Sequence, residues 1–325
     1  MSKPCKIKIG ISACLLGFKV RHDGRDKSNA LVNETWNDYF EFVPVCPEVD
    51  SGMSVPREAI QLVRTGNATV KALGVHNPQL DVTADLTSFS HARMNSLGEI
   101  RGFLVKSKSP SCGLERIPVF SEHGPERSFG VGLFTSVLIE TYPLLPVEQE
   151  DKLGDPIGRD NFLERVMVYD RWRTLLDGAF TVAKLIDFHS DYKLLVWSHD
   201  QAAYRRLGRH VAKARPGNLQ QSARSYAHNL MNALKIPADR NNHFNVLQHL
   251  AGYLKPALDA REKKRLHSML ETYKTDDLPL IAPVSLMLDL FRRFPNPYVT
   301  RQVYLDWHAD SHAILLQNRR SIDCA

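Results

Sequence analysis

The sequence predicts an α/β domain, built on a parallel-type sheet with flanking helices, followed by an all-α domain. Up to about Glu148, short β-branched and apolar runs alternate with segments of helical spacing, as in strands joined by crossover helices. After about Gly158 the strand pattern stops and apolar residues recur three and four apart. Between the two, residues 149–160 mix Pro, Gly and acidic side chains, a linker composition. The expected organisation is an α/β domain over 1–148, a linker over 149–160 and a helical, basic domain over 161–325. A length of 325 residues suits two domains at about 100–200 residues each.

Residues 6–16 (KIKIGISACLL) read as a buried strand running into a glycine-containing loop. Residues 42–45 (FVPV) form a second strand ending at Cys46, and 102–106 (GFLVK) a third, ending in the loop 107–113. Helical spacing is present over 85–97 and 132–141, the latter stopping before Pro143. In the second half, helices are expected over 162–176, 180–188, 201–214, 220–234, 243–258, 261–273 and 284–294. Pro216-Gly217, Pro237, Pro279, Pro283, Pro295 and Pro297 punctuate them. Trp172, Tyr192, Trp197, Tyr204 and Tyr226 fall at core spacing, which argues against base-stacking platforms.

The apolar fraction of 43% and charged fraction of 24% are those of a globular protein. No apolar run approaches the roughly 20 residues of a membrane span, and residues 1–10 lack the apolar core of a signal peptide. A cytoplasmic protein with no membrane partner is expected; oligomeric state is not read. Residues 1–150 hold 16 Lys+Arg against 17 Asp+Glu, so the remainder holds 26 of the 42 basic and 19 of the 36 acidic residues. Residues 201–274 alone carry 14 basic and 4 acidic side chains. Such a surplus matches a polyanion such as nucleic acid; a solvated helix surface would also carry it.

Five scattered cysteines make no disulfide framework. Cys5 and Cys324 lie near the chain ends and are expected to be bystanders. Cys14, Cys46 and Cys112 each fall at or just past the C-terminal end of a predicted strand, so three thiols remote in sequence converge on one edge of one sheet. That edge is where α/β folds gather ligands. Three thiolates could serve zinc, with His22, His76 or His91 as a fourth ligand. They could equally hold a [4Fe-4S] cluster whose fourth iron lacks a protein ligand and acts as an open Lewis acid. Spacing alone does not separate the two.

The residues around the cysteines carry a resemblance. Ser12-Ala13-Cys14-Leu15-Leu16-Gly17 with Val20-Arg21-His22-Asp23-Gly24, then Cys46-Pro47-Glu48 with Pro56-Arg57-Glu58, then Asp81-Val82-Thr83 and Ser109-Pro110-Ser111-Cys112-Gly113 are similar, in order, to the TudS-type thiouracil desulfidases. The resemblance covers about residues 6–148 and departs at His22, where tyrosine is expected. Phe188-His189-Ser190-Asp191-Tyr192-Lys193 and Tyr204-Arg205-Arg206-Leu207-Gly208-Arg209 resemble the helical, YbgA-type domain fused to desulfidases of the RudS kind.

The resemblance implies a [4Fe-4S] cluster on Cys14, Cys46 and Cys112 with one open iron, and catalytic roles for Glu48 and Ser109. Glu48 would activate water and Ser109 relay or donate a proton. It implies non-redox, hydrolytic removal of sulfur from 4-thiouridine in tRNA, giving uridine and hydrosulfide. Against those roles, Glu48 could cap a helix and Ser109 could make a turn with Pro110. Lys27 and Arg57 are candidate phosphate contacts, as are Arg205, Arg206, Arg209 and Lys213 on one helix. Two alternatives stay open: the same chemistry on free 4-thiouracil or 4-thio-UMP, and a non-catalytic nucleic-acid-binding protein with a structural metal site.

Overall fold

The computed structural model describes residues 6–66, 69–122, 124–275 and 278–308, without the side chains of 124–127. Cys5 and Cys324 lie outside the described residues. The chain divides into two compact units, one spanning residues 5–170 and the other formed chiefly by 171–325.

In the first unit, β1 (Ile7–Ser12) is flanked by β2 (Phe40–Val45) and β5 (Gly102–Val105), and β8 (Val147–Gln149) completes the order β2-β1-β5-β8. All three pairings are parallel. β1 is buried along nearly its whole length, as the near-continuous apolar run of a parallel strand covered on both faces requires. A side chain at Gly10 would place its Cβ 2.2 Å from the Phe103 ring, so glycine there lets the β5 aromatic lie across β1. The strand read over 6–16 stops at Ser12; residues Ala13–Leu16 instead tighten into a 3-10 turn closed by Gly17 at φ 91°.

A second sheet, absent from the expectation, has the order β4-β3-β6-β7. β3 (Ile60–Arg64) pairs antiparallel with β4 (Val70–Gly74) and parallel with β6 (Ile117–Ser121), which pairs antiparallel with β7 (Gly124–Gly130). Ile60, Leu62, Ala72, Ile117 and Val119 from this sheet bury a core with Val82 and Leu86. Its strands are short and broken by polar residues, so no extended alternation marked them.

The helices α1 (Pro47–Asp50), α2 (Thr83–Met94) and α3 (Leu133–Thr141) connect these strands, the last two close to where periodicity put them. The stretch expected as a linker is folded. Val147–Gln149 is β8, Glu150–Gly154 is a 3-10 turn, and α4 (Pro156–Leu176) begins at once. Asp155 accepts from the amides of Ile157 (3.3 Å) and Gly158 (3.0 Å). Asp155 and Pro156, inside the stretch expected as a linker, are thus a helix start. α4 belongs with the first unit as far as Asp170. Phe162 stacks on Trp36 at 6.2 Å, and Arg165 donates to Glu148 at 2.7 Å.

The second unit is helical throughout its described residues. After the end of α4 come α5 (Val182–His199), α6 (Gln201–Ala212), α7 (Leu219–Leu234), α8 (Arg240–Leu254), α9 (Ala260–Lys274), α10 (Ile281–Arg293), α11 (Pro297–Thr300) and α12 (Val303–His308). The helix expected over 180–188 runs on to His199, and Asp200 then caps α6 by accepting from Ala202 and Ala203. Trp172 and Tyr226 are buried with ring centroids 5.4 Å apart. Tyr192 stacks on Phe188 and Trp197 on Tyr204, so these aromatics pack on one another.

Candidate active site

The C-terminal ends of β1, β2, β5 and β8 point to the same edge, because parallel pairing gives all four strands one direction. The chain leaving each strand lines one cavity of about 570 Å³. Cys14 comes from the turn after β1, Cys46 from the start of α1 after β2, and Cys112 from the loop after β5; all three line it, with Glu48, Ser109, Lys27 and Arg57. The sequence-derived candidates of the first domain therefore share one site. Its volume is that of a cleft for a drug-sized ligand.

Each cysteine is fixed by its backbone. The Cys14 carbonyl accepts from the amides of Gly17 (3.3 Å) and Lys27 (2.9 Å), folding residues 17–27 back over the strand end. The Cys46 amide donates to Asp50 Oδ2 at 3.1 Å, and its thiol points to the Val20 carbonyl at 3.7 Å. Cys112 is held by the start of α3: the amides of Gly132, Leu133 and Phe134 donate to the carbonyls of Gly113, Pro110 and Ser111 at 2.8–3.0 Å. A Cβ on Gly132 would stand 2.6 Å from the Ser111 carbonyl group, so only glycine allows the helix end this close to the cysteine loop. Thr135 adds a hydroxyl bond to the Cys112 carbonyl.

Burial is the main force on all three thiols. It pushes Cys14 up to about 11, with Cys46 adding to the rise, and pushes Cys46 and Cys112 upward as well. The Ser12 hydroxyl beside Cys112 pulls the other way. Each stays a thiol at neutral pH unless a cation displaces its proton, as coordinated metal does. Among the described residues no three His, Cys, Asp or Glu side chains form a group suited to one metal ion. The thiols ring a cavity, close enough to influence one another electrostatically. Three soft donors around one cavity suit zinc or an iron–sulfur group.

Glu48, the second residue of α1, has both carboxylate oxygens engaged. Arg57 donates to Oε2 through Nε at 2.8 Å and through Nη2, and Ser111 Oγ donates to Oε1 at 2.9 Å. Arg57 Nη2 also reaches the Val20 carbonyl at 3.0 Å, the same oxygen that faces the Cys46 thiol. The Arg57 side chain is only 5% exposed, so it is committed to Glu48 rather than open to a phosphate. Ser109 Oγ accepts from the amides of Ser111 (3.2 Å) and Cys112 (3.1 Å). It does form the turn, and as an acceptor in both bonds the hydroxyl of this cavity-lining residue keeps its proton to donate. Lys27 is exposed at the rim.

Several residues in or behind the cavity wall have no role marked by motif or spacing. Ser111 is fully buried and orients Glu48; it stood inside the quoted SPSCG motif without a partner to suggest its use. Lys106 binds Glu150 and Ser107, and Glu150 accepts from the Ser107 amide and hydroxyl. Glu150 fell in the stretch taken for a linker, and a three-residue strand before it left no periodic signal.

In the second unit, Arg205, Arg206 and Arg209 are exposed on α6, and Lys213 is exposed just past its C-terminal end. Arg206, Arg209 and Lys213 line a pocket of about 230 Å³ with Asn229 of α7; Arg205 is not part of it. Arg206 lies 3.9 Å from Asp200.

Fold and site together define a two-domain protein whose α/β half carries a thiol-ringed, carboxylate-bearing cavity at its strand ends. Residues 9–150 match the family described as 2-thiouracil desulfurase, and residues 193–309 match one described as a protein of unknown function (DUF1722). The uncharacterized protein YbgA of Escherichia coli (strain K12) is 30% identical over 148 residues, 45% of this chain and 88% of that protein. A solved structure of the [4Fe-4S]-dependent thiouracil desulfidase TudS shares 31% identity over 46% of this chain and 95% of its own, with a TM-score of 0.37. The chain belongs to the family that joins a 2-thiouracil desulfurase domain to a YbgA-type helical domain. No described helix is long and apolar enough to cross a membrane.

Proposed function

We propose that the α/β domain removes sulfur from a thiolated uracil by a hydrolytic, non-redox reaction, with Cys14, Cys46 and Cys112 as the three protein ligands of a [4Fe-4S] cluster. The physiological substrate in this reading is 4-thiouridine in tRNA, converted to uridine with release of hydrosulfide in the cytoplasm. The observation that carries the proposal is that three thiols, separated by 32 and 66 residues of sequence, line one cavity with Glu48 and Ser109.

Such a cluster supplies a soft, Lewis-acidic iron for the thiocarbonyl sulfur. The chain supplies the rest. Glu48, oriented by Arg57 and Ser111, is the base that takes a proton from the attacking water, which adds to the ring carbon bearing sulfur. Ser109 donates or relays a proton to the uracil ring as the carbon–sulfur bond breaks. Each role needs a positioned group within hydrogen-bond reach of the reacting atoms, and such groups contribute about 10²–10⁴-fold.

The basic face of α6 supports RNA as the substrate. Three exposed cations around one small pocket match a phosphate backbone better than a free base. The reading on free 4-thiouracil or 4-thio-UMP keeps one support, since every lining residue of the thiol cavity belongs to the first unit. The deciding experiment is nucleoside mass analysis of thiolated tRNA before and after incubation with anaerobically reconstituted protein, beside 4-thio-UMP. Loss of 4-thiouridine from tRNA, weakened by raised salt and by reversing Arg206, Arg209 and Lys213 to Glu, is expected. Turnover of 4-thio-UMP with intact 4-thiouridine in tRNA would transfer the assignment to the small molecule. A colourless, zinc-loaded protein inert on both would favour a non-catalytic nucleic-acid-binding role.

A further inference from the structure

We infer that the helical unit holds a second ligand site, for a nucleoside monophosphate, where Lys193 stands beside a run of aromatic rings; this is independent of the desulfidase reading. Both helical-domain motifs contribute to it, since Lys193 ends the first and Tyr204 opens the second. One turn beyond Lys193 on α5, Trp197 stacks on Tyr204 of α6 with centroids 5.3 Å apart. From α8, His249 meets Trp197 edge-on at 5.3 Å and Tyr253 at 5.4 Å. Tyr253 then lies 5.2 Å from Tyr298 of α11, and Lys193 Nζ sits 4.5 Å over the Tyr298 ring. The run of rings therefore ends on an ammonium group. His249 and Tyr253 are exposed, and Lys193, Trp197, Tyr204 and Tyr298 are half-buried.

The polar atoms of this cluster are mostly donors. Among the described residues, Lys193 has no carboxylate and no hydrogen bond, only the face of Tyr298. Burial and the Arg301 guanidinium hold its amine below the usual lysine range. Arg301 gives it no relief, being a cation itself and already taken by Asp187 and Asp191. The Trp197 indole N–H is buried without a hydrogen-bond partner among the described residues. Burial, with Tyr253 and Tyr204 close by, pushes the Tyr298 phenol upward, so its hydroxyl keeps its proton. A desolvated cation surrounded by donors lacks the acceptor that would offset its burial.

Two features fix the class of ligand. An ammonium, phenols and an indole N–H suit an anion rich in lone pairs, and a phosphate monoester brings three terminal oxygens and more charge than a phosphodiester. Exposed rings next to that cation suit a flat heterocycle, and every base has a face to stack. A nucleoside monophosphate meets both demands. Its source is a free nucleotide or the phosphorylated 5′ end of an RNA strand, and experiment separates the two.

The test is acetylation footprinting of the full-length reconstituted protein, with Lys193 read by peptide mass spectrometry. Acetylation of Lys27 and Lys108 reports occupancy of the thiol cavity separately. The probes are AMP, UMP, adenosine, and a hexaribonucleotide bearing either a 5′-phosphate or a 5′-hydroxyl. AMP and UMP should shield Lys193 at concentrations where adenosine does not. Tyr298→Phe, which keeps the ring, should raise the half-shielding concentration of AMP several-fold. Lys193→Gln should weaken AMP binding in calorimetry about tenfold or more, the scale of a lost hydrogen bond to a charged group. Lys193→Arg should recover part of it, and thermal melting checks that each variant is folded. Shielding by AMP assigns the free nucleotide; shielding by the 5′-phosphorylated hexamer alone assigns the RNA end. Shielding by both hexamers but not by AMP marks a strand backbone and overturns the inference. So does equal shielding by adenosine and AMP, no shielding by any phosphorylated probe, or unchanged AMP binding in Lys193→Gln.

Discussion

Arg57 holds Glu48 by one oxygen: its Nε and Nη2 both donate to Oε2, leaving Oε1 to the Ser111 hydroxyl. A carboxylate gripped by one edge cannot rotate, so its direction is set before any substrate arrives. Glu48→Gln and Ser109→Ala should each lower turnover by about 10²-fold or more while the visible absorbance of the iron–sulfur chromophore stays. Arg57→Ala should lower kcat through misdirection of Glu48, with Arg57→Lys recovering part of it. If the chromophore disappeared along with activity in Glu48→Gln, Glu48 would be a structural support.

Cys14, Cys46 and Cys112 converge from three strand ends on one cavity. Replacing any one by Ala should remove most of the iron and all turnover, measured as iron per chain after anaerobic reconstitution. Cys5→Ala and Cys324→Ala should retain both. A Cys5 variant without iron would point to a fourth protein ligand and end the open-iron mechanism.

The first unit should survive a cut only beyond α4's inner half. Phe162 and Val166 are fully buried, Phe162 stacks on Trp36, and Arg165 bonds Glu148. Removing large buried side chains costs about 2–5 kcal/mol each, against a total stability of about 5–15 kcal/mol. A chain ending at residue 156 should therefore be unfolded by circular dichroism, and one ending at 176 folded and able to bind iron. Cooperative melting of the 1–156 fragment would contradict this placement.

Acid should weaken the helical unit. Burial depresses His189 to about 4 and His243 to about 3, from an ordinary 6.5, with each Nδ1 facing a tyrosine hydroxyl. Because the folded values lie below the unfolded one, the unfolded chain binds more protons below pH 6.5. Stability is full above that pH and is lost as pH falls towards the folded values. Each histidine should account for about 2 kcal/mol between pH 7 and pH 5. Unfolding free energies from urea melts should fall more steeply with decreasing pH in wild type than in His243→Asn; parallel pH dependences would reject the assignment.

The sequence by itself determined the division into an α/β half and a helical half, because periods of two to three apolar positions and of 3.6 residues are written locally in β1, β5 and α5–α10. It also marked Cys14, Cys46, Cys112, Glu48 and Ser109 through short motifs at strand ends. It did not reveal the second sheet, whose short, polar-interrupted strands are stabilised by partners elsewhere in the chain. Nor did it reveal β8 or Glu150, since three residues carry no periodicity and Asp155-Pro156 reads as a loop until a helix is seen to start there. Only the tertiary structure decided what each charge faces. Arg57, a candidate phosphate contact by sequence, turns inward to Glu48, and Lys106 turns to Glu150. Pairings at this edge join residues as far apart as Ser12 and Lys106, 94 positions, and their geometry exists only once parallel strands bring the loops together.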